Sequence, residues 1–268
     1  MKINVLGFFL SLSFAAATAA GAELTAGWQA LANYRAEEAL KVFDGRLNDP
    51  NPAVAREARF GHAVALLDRQ PVSDSQVAEA RRMFAELAGS GADDFAQGAR
   101  FYLGRIAQHH LLQPDPVEAA RQYRQLIAEH GDSVWAQTAL SRLALMMIYD
   151  LDPAAVPPAR IAEAERLLAY AKTPSAESEL HLVIASAIFF YRLPSAPALP
   201  HLLKVVQLGR VEWTVRSEVL VQVAELSRQA GRKAEALKYY QMFLKENPTD
   251  PREYIIRERM TALEKTAG

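Results

Sequence analysis

Proline recurs between apolar segments of this sequence, and its positions limit the fold more than any other feature. Between the prolines, apolar residues repeat with the period of an amphipathic α-helix, as Tyr123 and Leu126 do in segment 117–130. Proline inside a helix removes a hydrogen bond and clashes with the preceding turn, so each helix has to end near one. Of the 14 prolines, only Pro200 lies near an apolar stripe, and it can occupy a first turn.

Strand periodicity is not sustained in any segment, so the sequence predicts an all-α fold. The expected helices, about thirteen of them, cover residues 24–33, 36–47, 53–68, 76–88, 92–111, 116–130, 134–149, 159–172, 175–192, 198–208, 211–230, 232–246 and 251–265.

A second pattern occurs in every second helix, where an alanine is followed four residues later by an aromatic residue or leucine. The pairs are Ala39/Phe43, Ala80/Phe84, Ala119/Tyr123, Ala164/Leu168, Ala198/Leu202 and Ala236/Tyr240. Alanine lets two helices approach closely, and the larger residue one turn later fills the space beside it. One hairpin buries only part of its apolar surface, so the pattern predicts helix hairpins that stack on their neighbours.

These repeats resemble those of the tetratricopeptide repeat (TPR) proteins. The best match is 217–248, in which Ala236, Tyr240 and Pro248 stand at the alanine, aromatic and proline positions of the family. The next best match is 96–131.

The resemblance implies a right-handed α-solenoid of about six TPR-like helix hairpins over residues 23–268, with 251–265 as a C-terminal capping helix. The long inter-helix loops are similar to those of bacterial envelope TPR proteins, such as outer-membrane assembly lipoproteins and the periplasmic cell-division coordinator. This chain lacks the lipobox cysteine of the former and the N-terminal coiled coil of the latter. The resemblance therefore extends to the superfamily and does not select a member.

The N-terminus has the order of a secretory signal peptide over residues 1–22. Lys2 precedes a short apolar run, and small residues lead to Ala20-Gly21-Ala22, which predicts cleavage after Ala22. An uncleaved membrane anchor is the alternative, but the apolar run is shorter than the roughly 20 residues of a spanning helix. No later segment predicts a membrane span. Since the sequence has no cysteine, we expect a periplasmic protein that is not a lipoprotein.

Charge and motif content exclude several functions. Lys+Arg number 30 and Asp+Glu 31, so nucleic acid is not an expected partner. Motifs for binding dinucleotides or phosphates, and those of zinc proteases and serine hydrolases, are absent. Asp93-Asp94 precedes a helix and is interpreted as a cap rather than a catalytic carboxylate pair. We therefore expect no enzyme activity, catalytic residue, cofactor or metal.

The histidines are likewise interpreted as structural. His109-His110 project in different directions on a helix and cannot easily share one metal ion. The other four are expected to act singly: His62, His130, His181 and His201.

The TPR resemblance implies that the first helix of each hairpin lines a concave groove that binds a peptide or partner helix. The groove residues that it suggests are Phe101, Gln108, Glu225 and Arg228. The expected function is that of an exported, non-catalytic scaffold that binds a protein partner in bacterial envelope assembly or maintenance. Two alternatives remain, a helical accessory domain of a cell-wall-acting enzyme and a self-associating structural protein that forms homo-oligomers.

Overall fold

A computed structural model describes residues 21–265, and this part of the chain is all α-helical. Its helices are α1 Gly21–Ala32, α2 Ala36–Asp44, α3 Pro52–Asp68, α4 Asp74–Gly89, α5 Asp94–Arg105, α6 Pro116–His130, α7 Val134–Tyr149, α8 Pro157–Glu165, α9 Pro174–Phe190, α10 Ala198–Leu208, α11 Trp213–Gln229, α12 Lys233–Glu246 and α13 Glu253–Lys265. A π-helical segment, Ile106–His110, continues α5, and a 3-10 segment, Arg166–Tyr170, continues α8. The prediction of about thirteen helices is confirmed for residues 21–265.

Several helices begin at a short polar residue whose side chain accepts a hydrogen bond from an amide of the first turn. Asp93 accepts a hydrogen bond from the Ala96 amide at 2.8 Å, which confirms its interpretation as a cap. Ser73 and Gln76 form a reciprocal capping box at the start of α4. These caps fix where the helices begin.

The chain divides into two compact units, one ending at Gln122 and the other beginning at Tyr123. In the first, α1 to α5 pack on one another in chain order, and α3 also contacts α1 and α5. In the second, α7 to α13 also pack on one another in chain order, and α7 also contacts α9. Within each unit the helices form the predicted stacked hairpins, and the predicted all-α fold class is confirmed for the described residues.

The alanine pairs account for this packing. All six alanines have a relative exposure of 0%, as do their partners Phe43, Phe84, Tyr123 and Tyr240. Leu168 is the exception, since it is only half-buried while its neighbour Leu167 is 8% exposed. The physical reason is that the chain becomes a tighter 3-10 helix after Glu165, which rotates the following side chains.

Phe43 shows how close the helices come in the first unit. Its ring is fully buried and contacts the backbone of Gly27 on α1 and Gly61 on α3. A Cβ atom built on Gly61 would lie 2.4 Å from the ring, and one on Gly27 would lie 2.7 Å away. The Trp28 ring packs edge-on against the same phenylalanine at 5.1 Å. These glycines are therefore sites of close approach.

In the second unit, Gln137 joins two connections between helices, the one from α6 to α7 and the one from α8 to α9. The side chain is 4% exposed, and Nε2 donates to the carbonyls of Gly131 at 2.7 Å and Tyr170 at 3.0 Å. Its Oε1 accepts from the amides of Lys172 at 2.7 Å and Thr173 at 3.2 Å. The hydrogen-bonding groups of this buried amide are thus all satisfied by backbone groups.

His181 and His201 form a pair, which corrects the expectation that each acts singly. Their Nδ1 atoms are 2.8 Å apart, between α9 and α10, and both side chains are nearly buried. Glu165 lies 3.3 Å from Nε2 of His201, so that nitrogen donates and Nδ1 of His201 accepts from His181. Burial, and then the adjacent His201, lowers the pKa of His181 to about 4.

Replacing Gly61 by alanine is expected to destabilise the protein by about 1–3 kcal/mol, because the new methyl group meets an enclosed ring. The matched control is Gly89→Ala at the end of α4, where nothing lies within 4 Å of the new Cβ atom. There the better helix propensity of alanine predicts no loss, or a gain of up to about 1 kcal/mol. Urea unfolding measures the free energy of unfolding of both variants. Equal changes in the two would contradict the interpretation of Gly61 as a site of close approach.

Acidification is expected to destabilise the protein through the histidine pair. The pKa of His181 is depressed in the folded state, so the unfolded chain binds the proton first as the pH falls from about 6.5 to about 4. Because the pair retains some solvent contact, we expect a loss of only about 1–2 kcal/mol. Urea unfolding between pH 7 and 4.5 measures it. His181→Asn keeps an N–H donor without a titrating ring, and an unchanged pH dependence in this variant would refute the assignment.

Candidate functional site

The four suggested groove residues fall into two pairs that lie in different units. Phe101 is only 4% exposed, so it belongs to the core of the first unit and offers no surface to a partner. Gly98, Phe101 and Gly104 recur every third residue along α5 and are all buried, which explains this placement. Gln108 lies in the π-helical segment and is half-buried. The expectation that Phe101 faces a groove is therefore corrected.

Glu225 and Arg228 do lie together, one turn apart on α11. Arg228 donates to Glu225 Oε2 at 3.0 Å, and the other carboxylate oxygen accepts from the Tyr240 hydroxyl and from Arg259 of α13. The Glu225 side chain is 18% exposed. These groups form an internal network that joins α11, α12 and α13, rather than an open groove.

The protonation states of this network follow from its contacts. Burial opposes ionisation of Glu225, but hydrogen bonds from Tyr240 and Arg228 outweigh it, so its pKa lies below the ordinary value. Burial and the Glu225 carboxylate together raise the pKa of Tyr240 to about 12. The carboxylate is therefore charged and the phenol neutral at neutral pH.

An open cleft with apolar walls lies beside α4 in the first unit. We call it the α4 cleft; its volume is about 510 Å³, and it is lined by Asp74, Val77, Ala78, Arg81, Arg82, Ala85, His110, Leu111 and Leu112. Val77 forms a buried floor, whereas Leu112 on the opposite wall is 90% exposed. A solvent-exposed leucine beside a concave apolar surface is typical of a binding site.

Positive charge dominates the rim of the α4 cleft. Arg81 and Arg82 face one carboxylate among the lining residues, Asp74. Arg82 also pairs with Glu86 at 2.7 Å, an exposed contact that is easily exchanged. Burial, and then the charge of Arg105, lowers the pKa of His110, so its imidazole is neutral at pH 7. The cleft therefore combines apolar walls with two guanidinium groups.

The last residue of the π-helical segment, His110, and the two residues that follow it, Leu111 and Leu112, form the second wall of this cleft. The sequence predicted one continuous helix to residue 111, but the wider turn Ile106–His110 intervenes and precedes Leu111 and Leu112. The Asp115 amide donates to the Ala107 carbonyl at 2.8 Å and closes the turn that follows. The sequence signal that was missed is the apolar pair Leu111-Leu112 immediately before Gln-Pro-Asp-Pro.

A second cleft, of about 800 Å³, lies on the other side of α4 against α3 and the residues that precede it. Arg56 in its wall donates to both carboxylate oxygens of Asp93, at 2.6 and 3.0 Å, and to Ser90 at 2.7 Å. Its guanidinium is thus engaged in fixing the α4–α5 connection. We consider the α4 cleft the stronger candidate, because its wall carries exposed apolar groups and its arginines make fewer hydrogen bonds within the chain than Arg56 does.

Within residues 21–265, no group of three or more histidine, aspartate or glutamate side chains is placed to hold a metal ion. In the same range, no helix has the length and apolar content to cross a membrane. The predicted signal peptide lies outside the described residues, apart from Gly21 and Ala22 at the start of α1.

No family model matches the sequence, and no curated protein matches it. Among solved structures, the chain is similar to a thermophilic TPR protein of Thermus thermophilus, with 21% identity and a TM-score of 0.30. The match covers 91% of this chain and 98% of that one.

Replacing Glu225 by alanine is expected to cost about 2–3 kcal/mol in unfolding free energy, because two guanidinium groups and a phenol lose their acceptor. The pKa of Tyr240 should also fall from about 12 towards 10.0, as measured by tyrosinate absorbance. Glu86→Ala, which removes an exposed partner of Arg82, is the control and should cost at most about 0.5 kcal/mol. Similar losses in both variants would show that Glu225 is merely a surface charge.

Proposed function

We propose that this protein is an exported, non-catalytic scaffold that binds a segment of a partner protein in the α4 cleft. The observation that carries the proposal is the combination in that cleft of a buried floor at Val77, an exposed Leu112 and the guanidinium groups of Arg81 and Arg82. Such a site binds an apolar side chain of the partner, and the two arginines pair with acidic groups beside that side chain.

A macromolecular segment fits this cleft better than a small molecule does. The cleft is open along α4, and residues 74, 78, 81 and 85 repeat along one side of that helix. A ligand can therefore contact successive turns. The expected ligand is an amphipathic peptide or helix with one or two apolar anchors and neighbouring carboxylates.

Export is supported by the sequence of residues 1–22, with its charged start, short apolar run and Ala20-Gly21-Ala22. The absence of cysteine fits an oxidising compartment. We place the mature protein in the bacterial periplasm, where the scaffold would serve envelope assembly or maintenance.

Site-specific photo-crosslinking tests the proposal. A photoreactive residue replaces Ala78 or Ala85, both exposed in the α4 cleft, or Ala162 on α8 as a control. We expect one defined protein adduct from the two cleft positions and none from the control. Arg81→Glu should lower the adduct yield about tenfold, because it reverses a charge at the rim.

The crosslinking uses the full chain, expressed with its leader in a Gram-negative host and released from the periplasm by osmotic shock. A mature mass that begins at Glu23 is expected. Retention in the cytoplasm would refute export, whereas equal adducts from all three positions, or from the folded Arg81→Glu variant, would refute binding in the α4 cleft.

A further inference from the structure

Three aromatic rings meet where α7 and α9 end in the second unit. Tyr149 is the last residue of α7, Phe190 is the last residue of α9, and Tyr191 follows it. The ring of Phe190 stands almost perpendicular to those of Tyr149 and Tyr191, with 5.2 and 5.0 Å between the ring centroids. The two tyrosine rings are stacked 5.7 Å apart. We call these three residues the aromatic corner.

The aromatic corner is held in place but is not covered by the described part of the chain. The Tyr191 hydroxyl donates to the Ile148 carbonyl at 3.1 Å, which fixes the position of this ring. Phe190 nevertheless leaves 53% of its surface exposed. A single exposed aromatic residue is ordinary on a protein surface, whereas a fixed cluster of rings presents a preformed apolar surface to a ligand.

A guanidinium group borders the aromatic corner. Arg160 of α8 lies over the Tyr191 ring, with 5.2 Å between Cζ and the ring centroid. Its Nε is buried and forms no hydrogen bond, and within residues 21–265 its side chain forms no ion pair. A buried donor without an acceptor is unfavourable, so a carboxylate that reaches this group gains a charge-assisted hydrogen bond.

The acidic residues near Arg160 in the sequence do not compensate its charge. Glu163 pairs with Arg166 at 2.9 Å. Burial raises the pKa of Asp150 and no arginine lowers it, which indicates that Arg160 does not pair with this carboxyl group. Arg192, which follows Tyr191, is exposed and also forms no ion pair in the described part of the chain. Both arginines are therefore available to an anionic ligand.

The spacing of these groups matches an extended peptide. Phe190 lies 5.0 Å and Arg160 lies 5.2 Å from the Tyr191 ring, so one short segment can contact both. In the polyproline II conformation two residues span about 6 Å, and proline-rich segments dock on surfaces lined by aromatic side chains. A sugar is a poorer match, because hydroxyl groups that lose water at an aromatic surface need polar partners, and this surface carries few.

We infer that the aromatic corner and Arg160 bind an extended, proline-containing segment of a partner protein that carries a carboxylate within two residues of the proline. The proline packs on the exposed ring of Phe190, and the carboxylate accepts from the Arg160 guanidinium. The site lies in the second unit and does not depend on binding in the α4 cleft.

Fluorescence anisotropy with labelled peptides and the full chain tests the inference. The probe is a peptide of four Pro-Pro-Glu repeats. One control peptide has Gln in place of Glu, and the other has Ala in place of Pro. In the protein, Phe190→Ser removes the exposed ring and Arg160→Gln removes the charge. The matched control variants are Tyr170→Ser, which alters an aromatic residue with the same 53% exposure, and Arg166→Gln, in the 3-10 continuation of α8.

The Pro-Pro-Glu probe should bind the wild-type protein and both control variants alike, and should bind Phe190→Ser or Arg160→Gln about tenfold more weakly. Either control peptide should bind the wild-type protein about tenfold more weakly than the probe does. In Arg160→Gln, replacing Glu by Gln in the peptide should cause no further loss, because both changes remove the same ion pair. Equal losses in Tyr170→Ser and Phe190→Ser, or a full further loss in Arg160→Gln, would overturn the inference.

Nuclear magnetic resonance of the wild-type protein gives a second test that does not depend on the folding of a variant. Saturating Pro-Pro-Glu probe should shift the Nε–H resonance of Arg160 and the backbone amide resonances of Phe190 and Tyr191. Unchanged resonances at these groups would overturn the inference. Shifts at Phe190 produced by an N-acetylglucosamine oligosaccharide, but not by the peptide, would assign this surface to a glycan and overturn the assignment to a protein segment.

Discussion

Close approach between helices at very small residues is the constraint on which the rest of this structure depends. Each repeated alanine has no exposed surface, and the large residue that follows most of them is also buried. At Phe43 the principle is more extreme, because its ring packs against two glycines from different helices. Such packing leaves no room for a larger side chain, so it fixes the spacing of the helices in each unit. Positions on the outward faces are then free to vary and to bind.

Charged residues serve two distinct purposes in this protein. Arg56 and Glu225 each make several hydrogen bonds within the chain, and these bonds connect neighbouring helices and the loops between them. Arg81 and Arg82 instead border an apolar concavity on an exposed helix. A guanidinium that already donates to several acceptors gains little free energy when a ligand binds. One that lies beside water and apolar surface gains an ion pair with the ligand, and the ligand also removes water from the adjacent apolar groups.

The helices and their hairpin packing could be predicted from the sequence, because period, proline and alanine spacing are local signals. Local signals also placed Glu225 one turn from Arg228. The predictions were wrong where a residue distant in the sequence, or a change of helix type, determines the position of a side chain. Leu168 is rotated by a 3-10 turn, His181 is paired with His201 from the next helix, and Phe101 is buried by its neighbours. The α4 cleft was not predicted because the apolar pair Leu111-Leu112 does not by itself indicate the π-turn that precedes it in the structure.

That π-turn has an evolutionary consequence. A π-turn closes with a bond to the fifth residue along, so it accommodates one residue more than an α-turn does. Loss of a single codon within Ile106–His110 would let α5 continue as an ordinary helix, and because only the extra residue is removed, Leu111 and Leu112 would keep their direction relative to α4. The buried helices would keep their contacts. Descendants of one ancestral gene can therefore differ in length by one residue at this turn while retaining the same core and the same α4 cleft.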